Sequence, residues 1–199
     1  MNGLRALAPY VRRKPTPPPR ECCELCGIAI SDGHRHVVDL ERRSLLCSCP
    51  NCAILFEQQD GRFRRVPERV LRAPAIPADR WAALGVPVRL AFIFFNSTRK
   101  SWQASYPGVA GAIESEVASS SWDALAREYP ALRGIAPDVE ALLVWGPIGA
   151  PELECFIVPV DACYELVGLC RTHWRGFDGG DDMRREMDAF FARLRGRAS

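Results

Sequence analysis

The sequence predicts an α+β protein: a small two-knuckle cysteine module followed by a mixed α+β domain whose sheet is mainly antiparallel. Three observations predict it. Six of the nine cysteines fall within residues 22–52, in two clusters. From Val88 onward, apolar segments of strand length recur between Gly, Pro, Asn and Asp. Two amphipathic helical segments close the chain.

Taken in order, residues 1–20 end in a run of Arg, Lys and Pro and read as an extended tail, because proline neither continues a helix nor joins a central strand. Residues 21–56 form the cysteine module. Its knuckles, E-C-C-E-L-C-G and L-L-C-S-C-P-N-C, are joined by strand (Ile28-Ala29-Ile30), turn and strand (His36–Leu40), which puts His34 and His36 at a hairpin tip. Ser44-Leu45-Leu46 leads into the second knuckle as a further short strand. Residues 57–86 read as a polar connector holding a strand at Gly61–Val66 and a helical turn near Asp79–Leu84.

Residues 87–199 read as the α+β domain. Val88–Asn96 is apolar without interruption, as in a strand covered on both faces. Ser101–Tyr106 pairs with it across a four-residue turn. Ser121 starts a helix to Glu128. Val139–Trp145 and Leu153–Val160 are strands, Asp161 caps a helix running from Ala162 to Trp174, and a last helix covers Asp181–Leu194.

A chain of 199 residues with 48% hydrophobic content can build a core of ordinary size. The net charge of +2 argues against wholesale attraction to nucleic acid or lipid, but it is uneven: residues 1–80 carry +5 and residues 81–199 carry −3. No secretory leader is visible and no apolar run approaches membrane-spanning length, so a cytoplasmic location is expected. In a reducing compartment, clustered cysteines read as metal ligands rather than disulfides.

Each cluster holds a C-x2-C pair, Cys23/Cys26 and Cys49/Cys52, with 22 residues between the pairs. Two such knuckles can set four thiolates at the corners of a tetrahedron, the arrangement of a structural zinc ion. Cys47 or Cys22 can substitute for one of the four, or serve a different ion. His34 and His36, at an expected hairpin tip, read first as solvated turn residues. Iron is the alternative metal, since C-x2-C-G with C-P-x-C resembles the two knuckles of rubredoxins. Ala53 replaces the glycine after the second knuckle, however, and no aromatic residue lies between Gly27 and Leu46, so zinc is preferred over a rubredoxin-like iron site.

Cys163, Cys170 and His173 share one face of a predicted helix and form a possible secondary thiol site; Leu166 on that stripe argues for core. No Ser/His/Asp set, phosphate-binding loop or dinucleotide fingerprint occurs. An activated thiol at Cys163 or Cys170 is the remaining enzymatic reading, with His173 the one base in view.

The knuckles, together with Leu90–Ser97 (L-A-F-I-F-F-N-S), Tyr106-Pro107-Gly108, P-D-V-E-A-L-L-V (137–144), P-V-D-A-C-Y-E-L-V-G (159–168) and W-R-G-F-D-G-G (174–180), make the chain similar to an uncharacterised bacterial family. Genes of that family often lie in clusters for nickel–iron uptake hydrogenases. The resemblance implies a role near hydrogenase assembly, maturation or electron transfer, with a hydrogenase subunit or maturation factor as partner. It offers no catalytic residue. Three functions are therefore carried forward: a zinc-binding accessory protein, a rubredoxin-like electron carrier, and a zinc-ribbon nucleic-acid binder. The last is the weakest, because aromatics for base stacking are missing between the knuckles.

Overall fold

The computed structural model describes residues 21–57, 61–108, 111–174 and 179–198. The proline-rich tail and most of the W-R-G-F-D-G-G segment lie outside them. The fold is mixed α+β with antiparallel sheets. A three-stranded sheet in the order β2-β1-β3 is made by β1 (Arg35–Asp39), β2 (Ser44–Ser48) and β3 (Phe63–Arg65). A six-stranded sheet has the order β4-β9-β8-β5-β6-β7. Its strands are β4 (Leu71–Pro77), β5 (Leu90–Asn96), β6 (Ser101–Gly108), β7 (Gly111–Val117), β8 (Glu140–Trp145) and β9 (Glu152–Pro159).

The central strands are apolar throughout because both faces of the large sheet are covered. Along β5, Ala91 and Ile93 enter one core while Phe92 and Phe94 enter the other. In β8, Leu142 and Val144 alternate in the same way with Ala141 and Leu143. This is the period of two that a strand imposes, filled with apolar side chains in both phases. The first face is packed by α2 (Ala78–Ala82), α3 (Ser119–Glu128) and a 3-10 turn (Pro130–Gly134), through Trp81, Trp122 and Leu132. The second face is packed by α4 (Val160–His173) and α5 (Gly180–Arg197). From α4 come Cys163, Leu166 and Cys170, at i, i+3 and i+7; from α5 come Met183, Met187, Phe190, Phe191 and Leu194.

Several elements differ from the sequence expectation. Ile28–Ile30 is not a strand; one bridge, Cys22 to Ala29, holds it. The turn of the β1–β2 hairpin is Leu40–Arg43, with Arg43 at φ +52°, so His34 and His36 sit at the opposite end from the tip. Residues 57–86 hold β3, within the strand expected at Gly61–Val66 and paired with β1, and also an unforeseen strand, β4, which pairs with β9 in the large sheet. The strand β4 carries Pro74 and Pro77 and is irregular between Ala73 and Ile76. An edge strand accepts this because its outer N–H groups need no ladder partner. At the other edge, β7 (G-A-I-E-S-E-V) has no counterpart in the sequence reading. Helix α3 starts at Ser119 rather than Ser121 and no side chain caps it. Asp161 is not the cap of α4 but lies in its first turn, after Pro159 at the N-cap.

Ion pairs tie the small sheet to the large one and to the segments that lead into its strands. Arg64 Nη1 donates to Asp138 Oδ2 at 2.7 Å, and Arg35 pairs with Glu68 at 2.7 Å. Arg43, in the hairpin turn, reaches Glu114 on β7 at 3.1 Å. Between the sheets lies a cavity of about 410 Å³ walled by Val38, Leu45, Phe92, Phe94, Tyr164 and Val167, among others.

Asp39 organises the hairpin turn. It accepts Arg62 Nε at 2.9 Å and Nη2 at 2.6 Å, and the backbone N–H groups of Glu41 and Arg42 at 3.1 and 3.2 Å. The Arg62 guanidinium, aided by those N–H groups and opposed by burial, pulls its carboxyl down to about 2. A depressed carboxylate stabilises fully above its unfolded value of about 3.9 and loses that contribution as the pH falls toward the folded value. The small sheet is therefore expected to lose stability between about pH 4 and pH 2. In Asp39→Asn this step should be absent and stability at neutral pH lower; identical acid titrations of the two proteins, read by urea midpoint, would remove Asp39 from the account.

Candidate metal centre

The two C-x2-C pairs meet. The Sγ atoms of Cys23, Cys26, Cys49 and Cys52 lie within 4.8 Å of one another, and Cys26 and Cys49 are 3.8 Å apart. A tetrahedron with metal–sulfur arms of about 2.3 Å has edges of about 3.8 Å, so this spacing fits a zinc-sized ion.

Each knuckle follows from its residues. In the first, Gly27 N donates to Cys23 O at 2.7 Å and Cys23 N to Ile28 O at 2.8 Å. The turn closes with Gly27 at φ +77°, where a side chain would be strained. In the second, Cys49 ends the β2 arm and is the N-cap of α1 (Pro50–Ile54). Its sulfur accepts Cys52 N–H at 3.4 Å, and Pro50 occupies the first helical position, which needs no N–H. Glu24 staples the knuckles together: its N–H donates to Cys47 O at 2.9 Å and its carboxylate accepts Cys47 N–H at 2.6 Å.

The electrostatics suit a cation. Although desolvation opposes it, N–H donors from Cys49, Cys26 and Leu25 bring the Cys23 thiol down to about 6. The side chains of Cys26 and Cys49, with burial, push Cys52 up to about 12. Cys26 also rises, against the Ile28 N–H and chiefly through Cys23. Four sulfurs this close cannot all ionise alone, and a dication removes that repulsion.

Cys47 is not among the four. It lies with His34 and His36, one ring nitrogen of each and the Cys47 sulfur falling within 4.8 Å of one another. Cys22 is exposed beside its bridge to Ala29. Cys163 and Cys170 are buried in the α4 face of the core, burial raising both thiols, and His173 is half-exposed at the end of α4. Among the described residues these three are not gathered into a ligand group. Cys155 is buried in β9, where burial pushes its thiol up to about 12. Sequence reasoning missed Asp161 as a partner of His36, 125 residues away.

A family model, described as a family of unknown function (DUF5947), matches residues 22–198. The chain belongs to this family. The DUF5947 match takes in both knuckles and, among the described residues, both sheets and the five α-helices. No curated protein and no solved structure matches the chain. Among the described residues of this DUF5947 chain, no helix is long and apolar enough to cross a membrane.

Proposed function

We propose that the protein is a zinc-binding accessory factor, in which a Cys23/Cys26/Cys49/Cys52 centre of zinc-ribbon type stiffens a docking surface for a protein partner. The close packing of the four sulfurs carries this reading. Exposed apolar side chains flank them: Leu25 and Ile28 beside the first pair, Ile54 and Leu55 just after the second. Apolar groups held outward beside a cross-linked turn suit protein contact. The hydrogenase assignment, as assembly, maturation or docking factor, rests on the family resemblance alone.

Of the six arginines that would favour a nucleic acid, Arg42 is largely exposed and the other five are engaged within the fold. Arg35, Arg43, Arg62, Arg64 and Arg65 pair with Glu68, Glu114, Asp39, Asp138 and Glu57. The same four thiolates suit a rubredoxin-like iron, and Cys26 is exposed as an electron-transfer edge would be.

Elemental analysis with the visible spectrum separates the metals. The aerobically purified protein is expected to be colourless and to hold zinc that Cys26→Ser loses. Iron with thiolate-to-iron absorption would replace the docking role with electron transfer. Capture from hydrogenase-expressing cells should recover a hydrogenase component in a manner abolished by Leu55→Asp; its absence would overturn the partner assignment.

A further inference from the structure

We propose that His34, His36 and Cys47 form a second metal site, which takes a divalent transition-metal ion of the zinc class through two imidazoles and one thiolate, with water as the fourth ligand. It shares no ligand with the four-thiolate centre and goes beyond the docking reading.

Strand register builds the cluster. His36 and Cys47 are directly opposed partners in the β1–β2 ladder, so their side chains leave the same face at the distance of a cross-strand pair. His34, two residues before His36, returns to that face. Arg35 between them pairs elsewhere, with Glu68. The two imidazoles meet edge to face with centroids 4.7 Å apart.

Both histidines are oriented as ligands. His36 Nδ1 is 2.9 Å from Asp161 Oδ2, and His34 Nδ1 is 2.9 Å from Ser31 O. Both acceptors are oxygens that call for a proton on Nδ1, which leaves the lone pair on Nε2. A carboxylate behind one metal-binding imidazole and a carbonyl behind the other is the usual outer support of such ligands.

An independent observation points to an occupant. The His34 side chain is only 8% exposed, and its Nε2 is buried with no hydrogen-bond partner among the described residues. Native folds rarely leave a buried acceptor orphaned, and a metal ion satisfies it. Glu21 and Glu24 add negative charge: Glu21 Oε2 is 3.5 Å from His34 Nδ1, and Glu24 holds the Cys47 N–H. Zinc bound at about 2.0 Å to nitrogen and 2.3 Å to sulfur sets such donors about 3.3–3.6 Å apart, and one ring nitrogen of each histidine and the Cys47 sulfur already lie within 4.8 Å of one another. Thiolate with imidazole selects zinc-class ions over magnesium or calcium.

Cobalt(II) titration of the metal-stripped full chain tests this. Two equivalents are expected: one with the intense absorption of four thiolates, one with the weaker absorption of a single thiolate. His34→Ala/His36→Ala should lose the second alone, and Cys26→Ser should weaken or lose the first alone. Cys47→Ser should remove the single-thiolate band if the paired histidine variant misfolds. Asp161→Asn should weaken the second site by about 10–100-fold through loss of ring positioning, leaving the first unchanged. Uptake of one equivalent with a four-thiolate spectrum, or two equivalents retained in the paired histidine variant, overturns the second site while sparing the first. One equivalent kept in Cys26→Ser but lost without the histidines upholds the second site and overturns the four-thiolate reading.

Discussion

Cys49→Ser should weaken binding of the proposed zinc ion by about a hundred- to a thousandfold and loosen residues 21–56 while the large sheet stays folded. The substitution separates two roles of one side chain. Cys49 caps α1, and a serine hydroxyl caps a helix at least as well as sulfur. Serine does not replace the thiolate. Structural zinc contributes apparent binding free energies of about 10–16 kcal/mol in small modules, so one ligand in four is worth about 2.5–4 kcal/mol, or about two to three decades of affinity. Competition against a chromogenic chelator reads the affinity, and amide exchange reads the loosening. Chelation of the wild type should reproduce the exchange pattern, with residues 140–145 and 152–159 still protected. Unchanged zinc affinity in Cys49→Ser would remove this sulfur from the centre.

Arg64→Ala is expected to destabilise the protein by about 3 kcal/mol, a larger effect than its place near the surface suggests. The side chain is 15% exposed, and that of its partner Asp138 is 6% exposed. Asp138 stands at φ +66°, accepts Ser97 N–H at 2.8 Å and donates its own N–H to Phe95 O at 2.9 Å. It is therefore fixed in place and cannot turn to water when the guanidinium is removed. The cost is that of an uncompensated buried carboxylate rather than of a lost attraction. Arg64→Ala/Asp138→Asn should recover about half of it, since the amide keeps the left-handed backbone and sheds the charge. Urea unfolding of the three proteins checks this; a double variant no more stable than Arg64→Ala would contradict it.

Much of this architecture is legible in the sequence because the signal is local. The C-x2-C pairs announce by spacing a four-cysteine cluster that could hold a metal ion, and the unbroken apolar run of β5 announces a strand covered on both faces. Edge strands are quieter. The prolines of β4 argue against a strand until its place at the rim is known, and β7, with Glu114 and Glu116 among small residues, carries no continuous apolar run to announce it. The His34/His36/Cys47 cluster depends on register. A hairpin turning at Glu41 and Arg42 opposes His36 to Cys47, whereas a turn near Gly33 leaves the histidines in solvent. An H-x-H step followed by a cysteine at hairpin distance was the available signal. Asp161 was out of reach of any local reading, because only the packing of α4 brings it to β1.

That contact orders events while the chain is being made. The four thiolates lie within 30 residues of one another, and the β1–β2 hairpin between them is equally local. The knuckles can therefore close around an ion soon after they emerge from the ribosome. His36 must wait for Asp161, and β4 must wait for β9. Synthesis at about 5–20 residues per second makes that a delay of several seconds or more. During it the first centre is ready for metal, the imidazole of His36 lacks its carboxylate, and one rim of the large sheet is unbuilt. A partner or chaperone that engages the nascent chain in this interval meets a finished cysteine module on an unfinished body.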